Sequence, residues 1–187
     1  RSPSRGLGDV YKRQAFTIPC LENKNEVTLV GTHLEDELIE KIKLNRNIHP
    51  ALNTKLPEEL KIEKLEKLDS IFKEGYDVIV AGVSSIGIEW FVEQIAKNYK
   101  KNLPIILLTK GLAIVDDELI TLSDKVKRLL KDKGQTEANI SAIKGPCLAT
   151  GLANKMRTCL LYTSDAADDS LRVDLGGRRI IKKTATH

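Results

Sequence analysis

The chain has 187 residues, of which 41% are hydrophobic and 30% charged, with a formal net charge of +4. That balance belongs to a globular chain with a sizeable core and excludes disordered and fibrous classes. The longest apolar runs, such as Ile105–Leu108, fall far short of the roughly 20 residues that a membrane helix needs. Three cysteines make neither a disulfide framework nor a zinc site.

The two ends differ from what lies between them. Ser4–Gln14 and Cys159–Ile181 carry no helical or strand periodicity over a useful length. Asp9–Gln14 can be written as a DNA word whose reverse complement, read one frame over, encodes Cys159–Ser164. Inverted copies of one word resemble the ends of a transposase-cut sequencing fragment. Residues 1–14 and 159–187 are therefore expected to be non-native, adapter-derived tails, and fold reasoning starts inside them. The tails hold nine of the 30 basic residues and five of the 26 acidic ones, leaving 21 of each in Ala15–Thr158. A neutral interior carries no nucleic-acid footprint.

Within the interior, Glu26–Thr32 (EVTLVGT) is a β-branched run ending near glycine, and predicts a strand. Leu34, Leu38, Ile39 and Ile42 recur at helical spacing, with Glu35, Asp36 and Glu37 in the first turn, where the helix dipole favours acids. Leu60–Phe72 predicts a short edge element running into an amphipathic helix that Gly75 ends. Asp77–Val83 (DVIVAGV) reads as a buried parallel strand. A helix over Gly87–Tyr99 and a strand over Pro104–Thr109 follow. Leu122, Val126, Leu129 and Leu130 mark another helix, closed by Gly134. Ile140–Ile143 is a short strand, and Gly145-Pro146 opens the last helix. Strands alternating with helices of this length predict βαβ units and a doubly wound parallel sheet.

In such sheets ligands bind outside the carboxyl ends of the strands. Those ends read Gly31-Thr32-His33, Ser84-Ser85-Ile86-Gly87, Thr109-Lys110-Gly111 and Lys144-Gly145-Pro146-Cys147. All are small, polar or glycine-containing, so backbone can approach a ligand closely. Lys110 is the one fixed cation standing directly at the end of a buried strand; a solvated loop lysine is the competing reading.

EVTLVGTHLEDELIE, DVIVAGVSSIGIEW, LTKGL and GPCLA together resemble the amino-terminal domain of bacterial NAD(P)-dependent glycerol-3-phosphate dehydrogenase, over nearly all of Ala15–Thr158. The resemblance implies a partial, NAD(P)-binding Rossmann-type domain. It also implies an enzyme that reduces dihydroxyacetone phosphate to sn-glycerol 3-phosphate with NAD or NADP as cofactor, in the cytoplasm, for phospholipid synthesis. The full-length protein is expected to be a homodimer with a small-molecule substrate and with no nucleic-acid, membrane or metal partner.

Carried over residue by residue, Lys110 of TKGL resembles a lysine touching both substrate and cofactor. A cation there would favour negative charge on the substrate oxygen. Gly145 and Cys147 of GPCLA match substrate-contacting positions, and Ala149 a cofactor contact. Many relatives carry serine where this chain has Cys147; a small buried filler is the other reading of that cysteine. Thr32 and His33 match positions meeting the adenosine half of the cofactor. No acid stands at the strand end for the ribose, although Glu35 and Asp36 are close.

The first strand and the glycine-rich turn that would precede Ala15 are missing, with Phe16–Glu22 the remnant of the helix that such a turn opens. The family's helical carboxyl-terminal domain is not found after Thr158, so no catalytic residue is assigned and the chain as written is expected to be inactive. Two alternatives stay open: a ketopantoate-reductase-like dehydrogenase of the same superfamily, and a non-catalytic nucleotide-binding module.

Overall fold

The computed structural model describes residues 4–45, 48–49, 54–100, 103–144, 149–154, 159–164 and 171–174. It begins with a helix, α1 (Ser4–Glu22), which corrects the reading of Ser4–Gln14 as a stretch without periodicity. Tyr11, Ala15 and Ile18 face the core four and then three residues apart, so the helical stripe starts inside that stretch. Strand β1 (Thr28–Val30) and helix α2 (Asp36–Leu44) follow, and α2 buries Ile39 and Ile42. Asp36 and Glu37 occupy its first turn and Lys41 and Lys43 its last, both complementing the helix dipole. Leu34, expected on the apolar face, precedes the helix and is 82% exposed.

Strands β2 (Ile48–His49) and β3 (Thr54–Lys55) form a small antiparallel pair. Strand β4 (Lys61–Glu63) runs parallel to β1 with Leu29 opposite Ile62. A 3-10 turn at Leu65–Lys67 leads into α3 (Leu68–Glu74), which stops at Gly75 with φ of 90°. Then come β5 (Ile79–Ala81), α4 (Ile88–Ala96) and β6 (Ile105–Leu107). A hairpin of β7 (Leu112–Val115) and β8 (Glu118–Thr121) precedes α5 (Leu122–Asp132). Thr121 caps α5 by accepting the Asp124 N–H. The order closes with β9 (Ile140–Lys144), α6 (Ala149–Ala153), β10 (Cys159–Ser164) and β11 (Leu171–Asp174).

Strands β5, β6 and β9 are parallel neighbours, whereas β10 and β11 continue the sheet antiparallel in the order β11-β10-β9-β6-β5. This corrects the reading of Cys159–Ile181 as patternless: the run Leu160–Thr163 is apolar, aromatic and β-branched, which suits pairing along the edge of β9. The parallel layer is α/β in kind but comes in two pieces. The β1–β4 pair is a separate sheet, and among the described residues no strand pairs the second edge of β1 or of β5.

Two cores support these pieces. Ile88, Val92, Ile105, Leu107, Val126 and Leu130 pack α4 and α5 on β5, β6 and β9, all at 0% exposure. Each such side chain contributes about 1.5–3 kcal/mol by leaving water. The second core joins α1, α2, β1, β4 and α6 through Ala15, Ile18, Leu29, Ile39, Ile62 and Leu152.

Candidate functional site at the strand ends

The carboxyl ends of β1, β5 and β6 each run into loops of small and polar residues, where a doubly wound sheet takes its ligand. The Leu108 N–H donates to the Ala81 carbonyl at 2.8 Å, continuing the β5–β6 ladder past the strands. The buried Thr109 hydroxyl then donates to the Val83 carbonyl. These two bonds lash the exits of β5 and β6 together, and Lys110, the next residue, stands exposed at the rim. Gly111 after it has a φ of 144°, a conformation that favours glycine.

Register places the exit of β9 beside that lysine. Leu107 pairs with Ala142 in parallel neighbours, so Lys110 lies three residues beyond one partner and Lys144 two beyond the other. Adjacent strands are about 4.8 Å apart. Gly145 and Cys147 follow Lys144 in sequence but lie outside the described residues. Ala149, expected as a cofactor contact, stands half-buried on α6, packed against the core that α6 shares with α1 and β1.

Past β1, a Cβ on Gly31 would overlap the terminal Cδ1 of Ile39, which would have to shift to admit it. Thr32 and Glu35 then bond reciprocally. The Thr32 N–H donates to Glu35 Oε2 at 2.7 Å, and the Glu35 N–H donates to the Thr32 carbonyl at 3.0 Å. The T-x-x-E spacing is the signal that reveals this turn in the sequence. Arg13 of α1 donates from Nη2 to both oxygens of Glu35 at 2.7 Å. Side chains of this ion pair are only 10% and 9% exposed. Burial pushes the Glu35 carboxyl up, but the Arg13 charge and the hydrogen bonds from Thr32 and Arg13 outweigh it and hold the pKa below the ordinary value. Glu35 is thus committed to protein partners rather than to a ribose.

Helix α1 itself crosses the crevice. A Cβ on Gly82, just past β5, would overlap the Cβ of Arg13, and Lys12 Nζ reaches the Leu108 carbonyl at 3.5 Å. No glycine-rich turn opens α1 at this crossing, where a phosphate cradle would need backbone N–H groups. The described residues therefore do not fit the pyrophosphate half of a dinucleotide.

A cavity of about 400 Å³ lies on the far side of the β1 loop, among the start of α2, the turn before α3, and α4. His33 lines it, with its ring 5.2 Å from that of Trp90. Asp36, Glu66, Asp69, Glu93 and Lys97 also line it. The cavity was not legible in the sequence, because its walls come from three helices distant in the chain.

Among the described residues no group of three His, Cys, Asp or Glu could hold a metal ion, and no helix is long and apolar enough to cross a membrane. Residues 14–169 match the family described as NAD-dependent glycerol-3-phosphate dehydrogenase N-terminus. The NADP(+)-dependent glycerol-3-phosphate dehydrogenase of Archaeoglobus fulgidus is 33% identical over 160 residues, covering 84% of this chain and 45% of the relative. A glycerol-3-phosphate dehydrogenase [NAD(P)+] of Mesoplasma florum is 30% identical over 95 residues, covering 51% of this chain and 28% of that one. The glycerol-3-phosphate dehydrogenase structure from Coxiella burnetii shares the fold at a TM-score of 0.66 and 20% identity, covering 86% of this chain and 45% of its own. The yeast structure, at a TM-score of 0.62 and 18% identity, covers 87% and 45%. The chain thus spans about half the length or less of the curated relatives that it matches. By the extent of the match, it belongs to the NAD-dependent glycerol-3-phosphate dehydrogenase N-terminal family.

Proposed function

We propose that Ala15–Thr158 is the nucleotide-side part of a cytoplasmic, homodimeric enzyme that reduces dihydroxyacetone phosphate to sn-glycerol 3-phosphate for glycerophospholipid synthesis. Residues 1–14 and 159–187 are proposed to be foreign to that enzyme. The observation that supports the reading is the parallel register of β6 and β9, which brings Lys110 and Lys144, the residue that precedes GPCLA in the sequence, to the same end of neighbouring strands.

In this reading Lys110 touches both substrate and cofactor, Gly145 and Cys147 meet the substrate, and Thr32, His33 and Ala149 meet the cofactor. The nicotinamide ring, when bound, supplies hydride. The ammonium of Lys110 attracts a phosphate or carbonyl oxygen and stabilises negative charge that develops there. The Thr109–Val83 bond holds that lysine at the rim, so its position is set before a ligand arrives. With α1 lying across the phosphate position, the chain by itself is proposed to turn over no dihydroxyacetone phosphate.

The test is NADH and NADPH oxidation by the purified chain with dihydroxyacetone phosphate, beside calorimetric titration with sn-glycerol 3-phosphate. Weak binding without turnover, lost in Lys110→Met, is the expected result. Turnover, or binding unaffected by Lys110→Met, would overturn the reading.

A further inference from the structure

We infer that the outward face of the β7–β8 hairpin is a pairing surface for a second copy of this chain, the two hairpins stacking face to face and running antiparallel. The inference concerns the hairpin beyond Gly111 and does not depend on the reaction proposed above.

A hairpin lying on a domain surface ordinarily alternates, apolar toward the core and polar toward water. This one is apolar on both sides. Its inner face is accounted for: Ala113 packs against the larger core, and Ile120 opposite it is 7% exposed. The outer face carries Leu112, Ile114 and Leu119, which are 60%, 73% and 65% exposed. Leu112 and Ile114 stand two residues apart on β7 and so share that face, and Ile114 lies directly opposite Leu119. Thr121, opposite Leu112, is the one polar residue of the two strands on this side. Large apolar side chains joined in one patch mark a contact surface, whereas the same residues scattered singly do not.

Charge at the two ends of the hairpin selects the occupant and its orientation. The tip carries Asp116, Asp117 and Glu118 against one cation, Arg128, which bonds Glu118 at 2.5 Å and feels the charge of Asp116. The open end carries Lys110 ahead of β7 and, after β8, Asp124, which accepts from the Thr121 hydroxyl. The patch thus runs from a net negative tip to an end where a lysine stands. A two-fold contact between antiparallel hairpins sets each tip against the open end of the other copy. The parallel orientation would bring both acidic tips together, and like charges set face to face are costly. The same tip disfavours an anionic lipid surface as the occupant. Stacked at about 10 Å, Ile114 and Leu119 of one copy can interdigitate with those of the other.

The test is sedimentation velocity of the whole chain from about 1 μM to 1 mM, since a patch this small predicts a dimer weaker than about 1 μM. A reversible monomer–dimer equilibrium is expected. The Ile114→Thr, Leu119→Thr variant keeps β-formers on the hairpin while removing the apolar patch, and should weaken the dimer about tenfold or more with an unchanged circular dichroism spectrum. The Asp116→Asn, Asp117→Gly variant suits the left-handed turn and removes the tip charge. It should weaken the dimer about threefold at low salt and have little effect at high salt. A chain monomeric throughout overturns the pairing and leaves the strand-end reading untouched; that outcome is expected if this face instead meets the portion of the longer relatives that the chain does not span. A dimer that survives both threonine replacements overturns the assignment to this face. A dimer indifferent to the tip charge at low salt overturns the antiparallel orientation.

Discussion

Removing the Arg13 guanidinium is expected to unsettle the β1 loop more than any surface change. In Arg13→Ala the Glu35 carboxylate keeps the Thr32 N–H but loses both 2.7 Å bonds from Arg13. With side-chain exposures of 10% and 9%, little water reaches the orphaned charge. Breaking one side of a buried pair costs about 3–5 kcal/mol; because the Thr32 bond remains, the lower end, about 3 kcal/mol, is expected. Urea unfolding followed by circular dichroism measures it. An Arg13→Leu, Glu35→Leu double variant removes both charges and should recover most of the loss, since an absent pair leaves nothing unpaired.

The pH dependence of the same pair has a definite sign. Glu35 is held below its ordinary value of 4.5, so the native state binds fewer protons than the unfolded one near that pH. Its contribution is complete above about 4.5 and fades as acidification reaches the lower folded pKa. Stability of the parent chain should fall below pH 4.5 more steeply than that of the double variant. A single-variant loss under 0.5 kcal/mol, or identical acid profiles, would refute the buried-pair reasoning.

Two further outcomes follow from the packing. Gly82→Ala places a Cβ against the Cβ of Arg13 and 3.3 Å from its backbone Cα, so it should cost about 1–3 kcal/mol in urea unfolding, and a neutral effect would show that α1 does not cross there. Cys20 is half-buried, and burial pushes its thiol from 9.0 up to about 11; its alkylation by iodoacetamide at pH 8, read by peptide mapping, should be about a hundredfold slower than for an ordinary cysteine, and comparable rates would contradict that burial.

Much of the interior was legible because its signals are local. DVIVAGV and PIILLT are short apolar runs that only a covered strand explains, and both contain observed strands of the parallel sheet. The stripe Leu122, Val126, Leu130 has a helical period and is buried as expected. What escaped either lacks the usual local signal or depends on partners distant in the chain. The β7–β8 hairpin turns on Asp116 and Asp117, both at positive φ of 51° and 61°, a left-handed pair that acids tolerate but that lacks the glycine usually marking such turns.

The ends show the same limit. Tyr11 belongs to a helical stripe only once Ala15 and Ile18 are seen to share a core with β1 and α6. Strands β10 and β11 acquire a role only because β9 offers an edge. At the site, Lys110, Thr32 and His33 could be read from strand ends, whereas the Arg13–Glu35 bond joins residues that no short motif connects. The acidic cavity wall was hidden for the same reason.

Amide chemical shifts of the isotopically labelled chain, recorded during titration with sn-glycerol 3-phosphate, test the strand-end crevice most directly. The account predicts saturable shifts concentrated at Thr109–Gly111 and at Gly145–Cys147, both abolished by Lys110→Met. Shifts confined to one of these segments, scattered away from the strand ends, or unchanged by the substitution would contradict it.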